Sequence, residues 1–449
     1  MRYQAQQLAF PLELHPSIED WTFNGASTRE LTHCYHDYPA RMIPQISSKI
    51  LDMFAAVDAR VLFDPYCGTG TSLVEGLIRG LNVIGTDLNP LARLIAIAKT
   101  NLTEISEIDK LVAKLNKSIL KFDNDESYYV KEIKGINRLE FWFKPNVIKK
   151  ISFLKRFIDQ ITNTEVKIFF QVAFSETVRE CSNTRNEEFK LYRYDSEKLH
   201  KFDPDVFGII TKKIKRNRSG LCNFVETMKC YKSLPKARIY DFNSVFPIPE
   251  DKVKPESVDI VVTSPPYGDS HTTVAYGQYS RLSAAWLDMD DSDKIDNKLM
   301  GGKTYKNIPE FIDNNLNHSI HSIFNLDKKR AMEVCAFYVD LQDSILNVSK
   351  VIKPGGYACY VVGNRKVKGI VLPTDLAIHS FFEQCGFDYI DTFHRSIPNK
   401  RMPSRNSPSN TPGVVDNTMV QEYIVVMRKP ITKKLMEKRV MYASRKRTM

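Results

Sequence analysis

The sequence predicts an α/β fold whose mainly parallel sheet is interrupted by a mainly helical insertion. Three observations carry that expectation. Short apolar runs alternate with helix-period segments at both ends of the chain. A glycine-bearing loop follows the first such run inside a strand–helix–strand unit, the pattern of a parallel pair joined by a crossover. A lysine-rich, helix-patterned stretch over 101–235 then separates the two halves. The 449 residues allow two to three domains of roughly 150 residues each, or one domain with a large insertion.

The elements follow in order. Pro11, Pro16, Pro39 and Pro44 break any long helix over 1–45, after which Ile46, Ile50, Leu51 and Phe54 repeat at helix spacing. Arg60–Phe63 is apolar and short, a strand. Beyond the loop, Ser72–Gly80 reads as a helix and Asn82–Thr86 as a second strand. Within the insertion, Pro145 opens a run with Val147, Ile148, Ile151, Leu154, Phe157, Ile158 and Ile161 on one face, and Ile168–Cys181 forms a second helix. Strands resume at Ala237–Tyr240 and Val258–Thr263. The polar stretch 270–330 is expected to hold loops and short helices. A helix over 331–351, strands at 357–362, 387–394 and 423–427, and a helix over 373–385 complete the pattern.

Composition sets broad limits. Apolar residues make up 43% and charged residues 26%, which excludes a largely disordered chain. Lys and Arg exceed Asp and Glu by 64 to 53, and Arg428–Met449 carries nine basic residues against one acid. A smaller basic cluster comprises Lys212, Lys213, Lys215, Arg216 and Arg218. Either cluster suits a solvated face or a polyanionic partner. The eight cysteines show no C-x-x-C spacing, no stretch of 18 apolar residues occurs, and Met1–Phe10 lacks a signal-like apolar core. Reduced thiols, a cytoplasmic location and no membrane span are therefore expected. The nine histidines show no metal-ligand spacing, so no metal is expected.

Two constellations carry chemistry. The first is Asp64-Pro65-Tyr66-Cys67-Gly68-Thr69-Gly70-Thr71, directly after the first strand. Its glycines permit a tight turn and a close backbone approach at the carboxyl edge of the sheet. No Lys follows the second glycine, so phosphate cradling is not indicated. Asp87 ends the next strand, where an acid accepts ribose hydroxyls of an adenosine-containing cofactor; Asp241 ends a later one, placed to meet the adenine amino group. The second constellation is Thr263-Ser264-Pro265-Pro266-Tyr267-Gly268, behind an apolar strand. Two prolines stiffen the chain and remove backbone donors. Ser264 and the Pro265 carbonyl can then accept hydrogen bonds from a planar amino group while Tyr267 stacks on its ring.

These two motifs resemble those of the exocyclic-amino DNA methyltransferases, which methylate cytosine N4 or adenine N6 from S-adenosylmethionine, usually in restriction–modification systems. His36-Asp37-Tyr38-Pro39-Ala40-Arg41-Met42 is similar to that family's upstream element near the methionine end of the cofactor. Val361-Val362-Gly363-Asn364 and Arg395-Ser396-Ile397-Pro398-Asn399-Lys400 are similar to elements bordering the base pocket. The resemblance implies a Rossmann-like class-I methyltransferase acting on a flipped base in duplex DNA, with a cognate restriction endonuclease as genetic partner. The implied cofactor residues are Asp64, Tyr66, Gly68, Gly70, Thr71, Asp87 and Asp241, and the implied catalytic residues are Ser264, Pro265, Pro266 and Tyr267. Residues 1–100 would form the N-terminal element and cofactor half, 101–235 an insertion with possible target recognition, 236–430 the catalytic half and 431–449 a basic tail.

Ser in the first position of the tetrapeptide is mostly found in the cytosine-N4 members, so cytosine is favoured and adenine is the alternative. The cofactor motif precedes the catalytic one, the less usual order for cytosine-N4 enzymes. Target recognition is open between the insertion, the stretch 270–330 and the loop 398–417 with Lys400, Arg401 and Arg405. A cytosine-C5 enzyme needs a Cys after Pro, and none is present. Amino-methyltransferases of RNA or protein usually begin the tetrapeptide with Asn. A non-catalytic DNA-binding module would need neither motif.

Overall fold

Two-residue alternation in the apolar runs is what builds the sheet. A computed structural model describes residues 20–123, 125–185, 190–268, 274–290, 295–302, 308–397, 405–406, 416–417 and 421–431. Its main strands are β1 (Val61–Asp64), β2 (Asn82–Thr86), β3 (Ala237–Tyr240), β4 (Val258–Thr263), β5 (Ile352–Val362), β6 (Asp388–Ser396) and β7 (Gln421–Arg428). They lie in the order β3-β2-β1-β4-β5-β7-β6. The first five are parallel, and β7 runs antiparallel to both of its neighbours. The order reverses between β1 and β4, which opens a crevice at their carboxyl ends.

The longer helices are α1 (Pro44–Phe54), α2 (Thr71–Leu77), α3 (Pro90–Thr100), α4 (Ile105–Leu120), α5 (Pro145–Asp159), α6 (Thr164–Cys181), α7 (Val206–Met228), α8 (Tyr276–Trp286), α9 (Asn314–Leu326), α10 (Lys328–Val351) and α11 (Thr374–Gln384). Leu62, Val83, Ile260, Val262, Cys359 and Val361 face α1 and α2 on one side of the sheet. Their strand neighbours Phe63, Val261, Ala358, Tyr360 and Val362 face α10 and α11 on the other. This is the Rossmann-like architecture expected, with helices burying both faces.

The chain between β2 and β3 is mainly helical, and its helices are built into the body of the fold. A third core joins Phe143, Ile151, Phe169 and Phe170 to Leu91 and Ile95 of α3 and to Trp286 of α8. Glu176 of α6 is buried and forms ion pairs with Arg216 at 2.6 Å and Lys213 at 3.3 Å. Burial opposes its ionisation, yet His36, Arg216 and Lys213 hold its carboxyl down to about 2. Arg218 pairs with Asp109. Three of the five cations in the basic cluster are thus paired with acids of the same chain, two of them on the buried Glu176 and Arg218 at the surface. His33 donates or accepts at 2.9 Å from Glu75, and burial first of all holds its pKa down to about 4, so its role is a neutral hydrogen-bonding one.

Several expectations need correction. The stretch 270–330 holds two substantial helices, α8 and α9, rather than only short ones. Small residues at the packed positions of α8 (Ser280, Ser283, Ala284) and the Asn and His residues of α9 mask their apolar period. Helices α3 and α4 were not anticipated; α3 starts at an Asn89 cap followed by Pro90. The helix expected from 331 begins at Lys328 because Asp327 caps it, accepting from the Arg330 N–H at 3.0 Å. Most of the loop 398–417 and all but the first residue of the basic tail lie outside the described residues.

Helix α7 crosses the turn Leu31–Cys34 at Gly220. A Cβ there would stand 2.3 Å from the Leu31 carbonyl oxygen and 2.5 Å from Cys34 Sγ. Alanine normally stabilises a helix interior over glycine by about 1 kcal/mol, but backbone oxygen cannot give way cheaply. Gly220→Ala is expected to lower unfolding stability by about 1–3 kcal/mol in urea titration. A variant as stable as the parent would show that this crossing is looser than described.

Candidate active site

The site begins with Asp64 at the end of β1. Its carboxylate is buried and accepts from Ser72 Oγ at the start of α2, from Thr263 Oγ1 at the end of β4, and from the Tyr66 N–H at 3.1 Å. Burial pushes the carboxyl up to about 6 against the pull of those bonds. Asp64 therefore fastens together the two strand ends whose loops carry the two motifs. After it, Gly68 and Gly70 adopt φ of +49° and +76°, a region that side-chain-bearing residues avoid, and Gly70 starts α2. The Gly70 N–H donates to the Cys67 carbonyl at 2.7 Å, closing the turn. Cys67 is buried against Gly85, where an added Cβ would meet its sulfur at 2.9 Å, so it acts as a packing residue.

Asp87 follows β2. Its Oδ2 accepts from the Gly68 N–H at 3.0 Å and its Oδ1 from the Asn89 N–H at 2.7 Å. Burial raises its pKa above the ordinary carboxylate value, with those two bonds and Arg93 opposing. A carboxylate has about four acceptor positions, so among the described residues two remain for a ligand. Asn89 then joins this edge to the upstream element and to α8, its Nδ2 donating to Tyr38 Oη at 2.8 Å and Ser280 Oγ at 2.7 Å.

These residues line a cleft of about 930 Å³, counting its open mouth. Asp64, Tyr66, Gly68, Thr71, Asp87, Ser264 and Pro266 are all in its wall, together with Tyr38 to Met42. The Thr69 and Thr71 hydroxyls in the same wall are buried with no hydrogen-bond partner among the described residues. Such orphaned donors in a concave wall suit a polar ligand. Residues of the two sequence motifs thus share one cavity.

Not every expected residue reaches it. Asp241 is exposed and outside the lining; β3 ends at Tyr240, and the next residues, Phe242, Asn243 and Ser244, supply the wall instead. Gly70 lies behind the wall, packed against Ala96, where an added Cβ would meet Ala96 Cβ at 3.1 Å. The Tyr66 ring lines the cleft while its hydroxyl is spent on Ser344 of α10. Pro265 is buried outside the lining. Tyr267 also lies outside it, with its hydroxyl donating to Glu422 Oε1 at 2.9 Å and accepting from Ser264 Oγ at 3.4 Å. Asn364 caps α11, accepting from the Thr374 N–H at 2.9 Å. Sequence reasoning missed Asn89, Tyr276, Leu299 and Met300 of the wall. Only Asn89 left a signal, the Asn-Pro pair of a helix start. Among the described residues, no group of three or more His, Cys, Asp or Glu could hold a metal ion, and no helix is long and apolar enough to cross a membrane.

Comparison with known proteins places this geometry in context. The chain is 44% identical over 427 residues to the type II methyltransferase M.MvaI of Kocuria varians, covering 92% of this chain and 94% of that protein. It is 19% identical over 440 residues to the type II methyltransferase M.BsoBI of Geobacillus stearothermophilus, covering 85% and 84%. An rRNA methyltransferase structure from Streptomyces viridochromogenes aligns over 90% of this chain and 91% of its own at 10% identity, with a TM-score of 0.32, too loose to carry an argument. No protein-family model matches the chain.

The Asp64 clamp has a pH signature. Its folded pKa of about 6 exceeds the ordinary 3.8, so the folded state holds this proton more tightly than the unfolded chain does. Its contribution to stability therefore grows as pH falls through about 6 and levels off below about 4. Relative to Asp64→Asn, the parent protein should gain about 2–3 kcal/mol of unfolding free energy between about pH 7.5 and about pH 4. Parallel stability–pH curves for the two proteins would contradict the assignment.

Proposed function

The chain belongs to the type II methyltransferases, as its near full-length match at 44% identity shows, and from that premise we propose that it methylates the N4 amino group of cytosine in duplex DNA. Its cofactor is S-adenosyl-L-methionine. In this reading it protects host DNA in a restriction–modification system, with an endonuclease of the same sequence specificity as genetic partner. The observation that carries the reading is the single cleft in which Gly68 and Asp87 face Ser264 and Pro266.

The residues present fit the cofactor. The two free acceptor positions of Asp87 match a ribose diol, and the partnerless hydroxyls of Thr69 and Thr71 offer donors to a carboxylate. Phe242 to Ser244, rather than Asp241, border the remaining wall. When bound, the cofactor supplies an electrophilic methyl group. The protein's own task is to present a poor nucleophile, since the cytosine amino lone pair is delocalised into the ring. In this reading Ser264, in the cleft wall, and the carbonyl of Pro265, the residue behind it, accept the two amino hydrogens as the base seats, which draws the nitrogen towards tetrahedral geometry and frees that lone pair. The target base leaves the duplex, because an amino group paired within the stack cannot enter a cleft at a sheet edge. Tyr267 stands beside Ser264 just outside the cleft wall, and in this reading its ring stacks on the base that reaches Ser264, worth roughly 1–3 kcal/mol per base.

The preference for cytosine rests on the resemblance of a tetrapeptide that begins with Ser264 to those of cytosine-N4 enzymes; the hydroxyl itself suits either amino group, and adenine N6 is the alternative. Methylated plasmid DNA, digested to nucleosides and analysed by mass spectrometry, is expected to contain N4-methyl-2′-deoxycytidine. N6-methyl-2′-deoxyadenosine alone would replace cytosine by adenine and leave the cofactor site intact, and no methylated base in DNA would sink the reading. Asp87→Ala should weaken S-adenosyl-L-methionine binding by about 1–3 kcal/mol in isothermal titration, the loss of a hydrogen-bonded acceptor. Unchanged affinity would remove Asp87 from the cofactor site.

A further inference from the structure

A serine hydroxyl is ambidextrous: it can donate one hydrogen bond or accept two. A base amino group offers only hydrogens, so a Ser264 free to rotate would spend part of its time pointing a proton at the substrate or at the neighbouring ring nitrogen. The structure contains a device that removes this freedom. Ser264 Oγ donates to Tyr267 Oη at 3.4 Å, and Tyr267 donates to Glu422 Oε1 at 2.9 Å. The other Glu422 oxygen is ion-paired with Arg395, whose side chain is 8% exposed against 13% for Glu422. Arg395 is itself anchored, its Nε donating to the Trp21 carbonyl at 3.0 Å.

The direction of this chain is fixed from its far end. An ionised carboxylate accepts only, and Arg395 keeps that carboxylate paired with a permanent cation. Tyr267 must therefore point its proton at Glu422, which leaves its oxygen lone pairs towards Ser264. Ser264 points its proton at Tyr267 in turn, and presents only lone pairs to the cleft. The negative charge at the far end polarises both hydroxyls in the same sense, which strengthens Ser264 as an acceptor. The Ser264–Tyr267 contact is long for two hydroxyls, the weakest link of this chain.

We propose that Glu422, held by Arg395, is a positioning residue that acts through Tyr267 to fix Ser264 as a pure hydrogen-bond acceptor for the substrate amino group. This rests on the amino-methylation reading above and holds equally for cytosine or adenine. It gives the Tyr267 hydroxyl a role distinct from stacking, and supplies at one remove the charge that a neutral Ser264 lacks. Arg395 and Glu422 also face each other in register across β6 and β7, so a merely structural cross-strand pair is the competing explanation.

Tyr267→Phe separates the two, since it keeps the stacking ring and leaves the Arg395–Glu422 pair intact. In steady-state methylation of DNA by the full-length protein, its kcat should fall about 10- to 100-fold, the fold-change of a lost charge-assisted hydrogen bond. KM for DNA and affinity for S-adenosyl-L-methionine should stay unchanged. Glu422→Gln, which keeps the shape but not the charge, should lose kcat to a smaller extent, and adding it to Tyr267→Phe should cost nothing further. A Tyr267→Phe enzyme with parental kcat, or losses that multiply in the double variant, would overturn the proposal. Should Tyr267→Phe fail to fold, a parental kcat for Glu422→Gln overturns it instead. A parent enzyme that methylates no amino group in DNA overturns the function reading, and this inference with it.

Discussion

Asp64 is the knot on which the rest of the site depends. One buried carboxylate takes hydrogen bonds from the start of α2, from the turn at Tyr66 and from Thr263, 199 positions away along the chain. Charge burial on this scale is costly, as the upward shift of its pKa shows. It is tolerated because every bond it makes fixes one edge of the cleft. The glycine loop cannot drift from the Ser264 loop while Asp64 holds both strand ends. The parallel register of β1 on β4, Leu62 beside Ile260 and Phe63 beside Val261, brings those ends level.

The helices between β2 and β3 serve the same cleft from behind. Glu176 sits among Arg216, Lys213 and the chain at Asp37, whose N–H donates to it at 3.4 Å. The next residue, Tyr38, reaches Asn89 and so the Asp87 edge. Arg179 lies 3.8 Å over the Tyr279 ring of α8, whose hydroxyl donates to the Asp37 carbonyl. Removing one partner from a buried ion pair typically costs about 3–5 kcal/mol, so this cluster holds the upstream element firmly against the fold. Lys213 and Arg216 are committed to the buried Glu176, while Arg218 pairs with Asp109 at the surface, so their sequence clustering reflects one helix crossing two acidic neighbours.

The polar chain at β6 and β7 shows how far a motif's chemistry can extend beyond its letters. Ser264 and Tyr267 are three residues apart in one loop, but the groups that orient them come from strands more than 100 residues later. Glu422 and Arg395 look like ordinary strand-end charges in the sequence. Their burial beside Tyr267 is what gives them meaning.

Sequence alone determined the parts of this protein that depend on local pattern. The strands β1, β2 and β4 were legible from apolar runs, the cleft edge from Gly68 and Asp87, and the second motif from two prolines behind a strand, because backbone freedom and two-residue alternation are written in neighbouring residues. Helices α8 and α9 were obscured where small or polar residues pack as well as apolar ones do. Asp241 illustrates the limit: a strand-end acid has the right chemistry, yet the turn after Tyr240 leaves it exposed and sends Phe242 to Ser244 into the wall. Whether a polar side chain faces a cleft, caps a helix as Asn364 does, or steadies another residue as Glu422 does is decided by which distant strand lies beside it. That is set by sheet order and burial, and a carboxylate reads the same in sequence wherever the fold puts it.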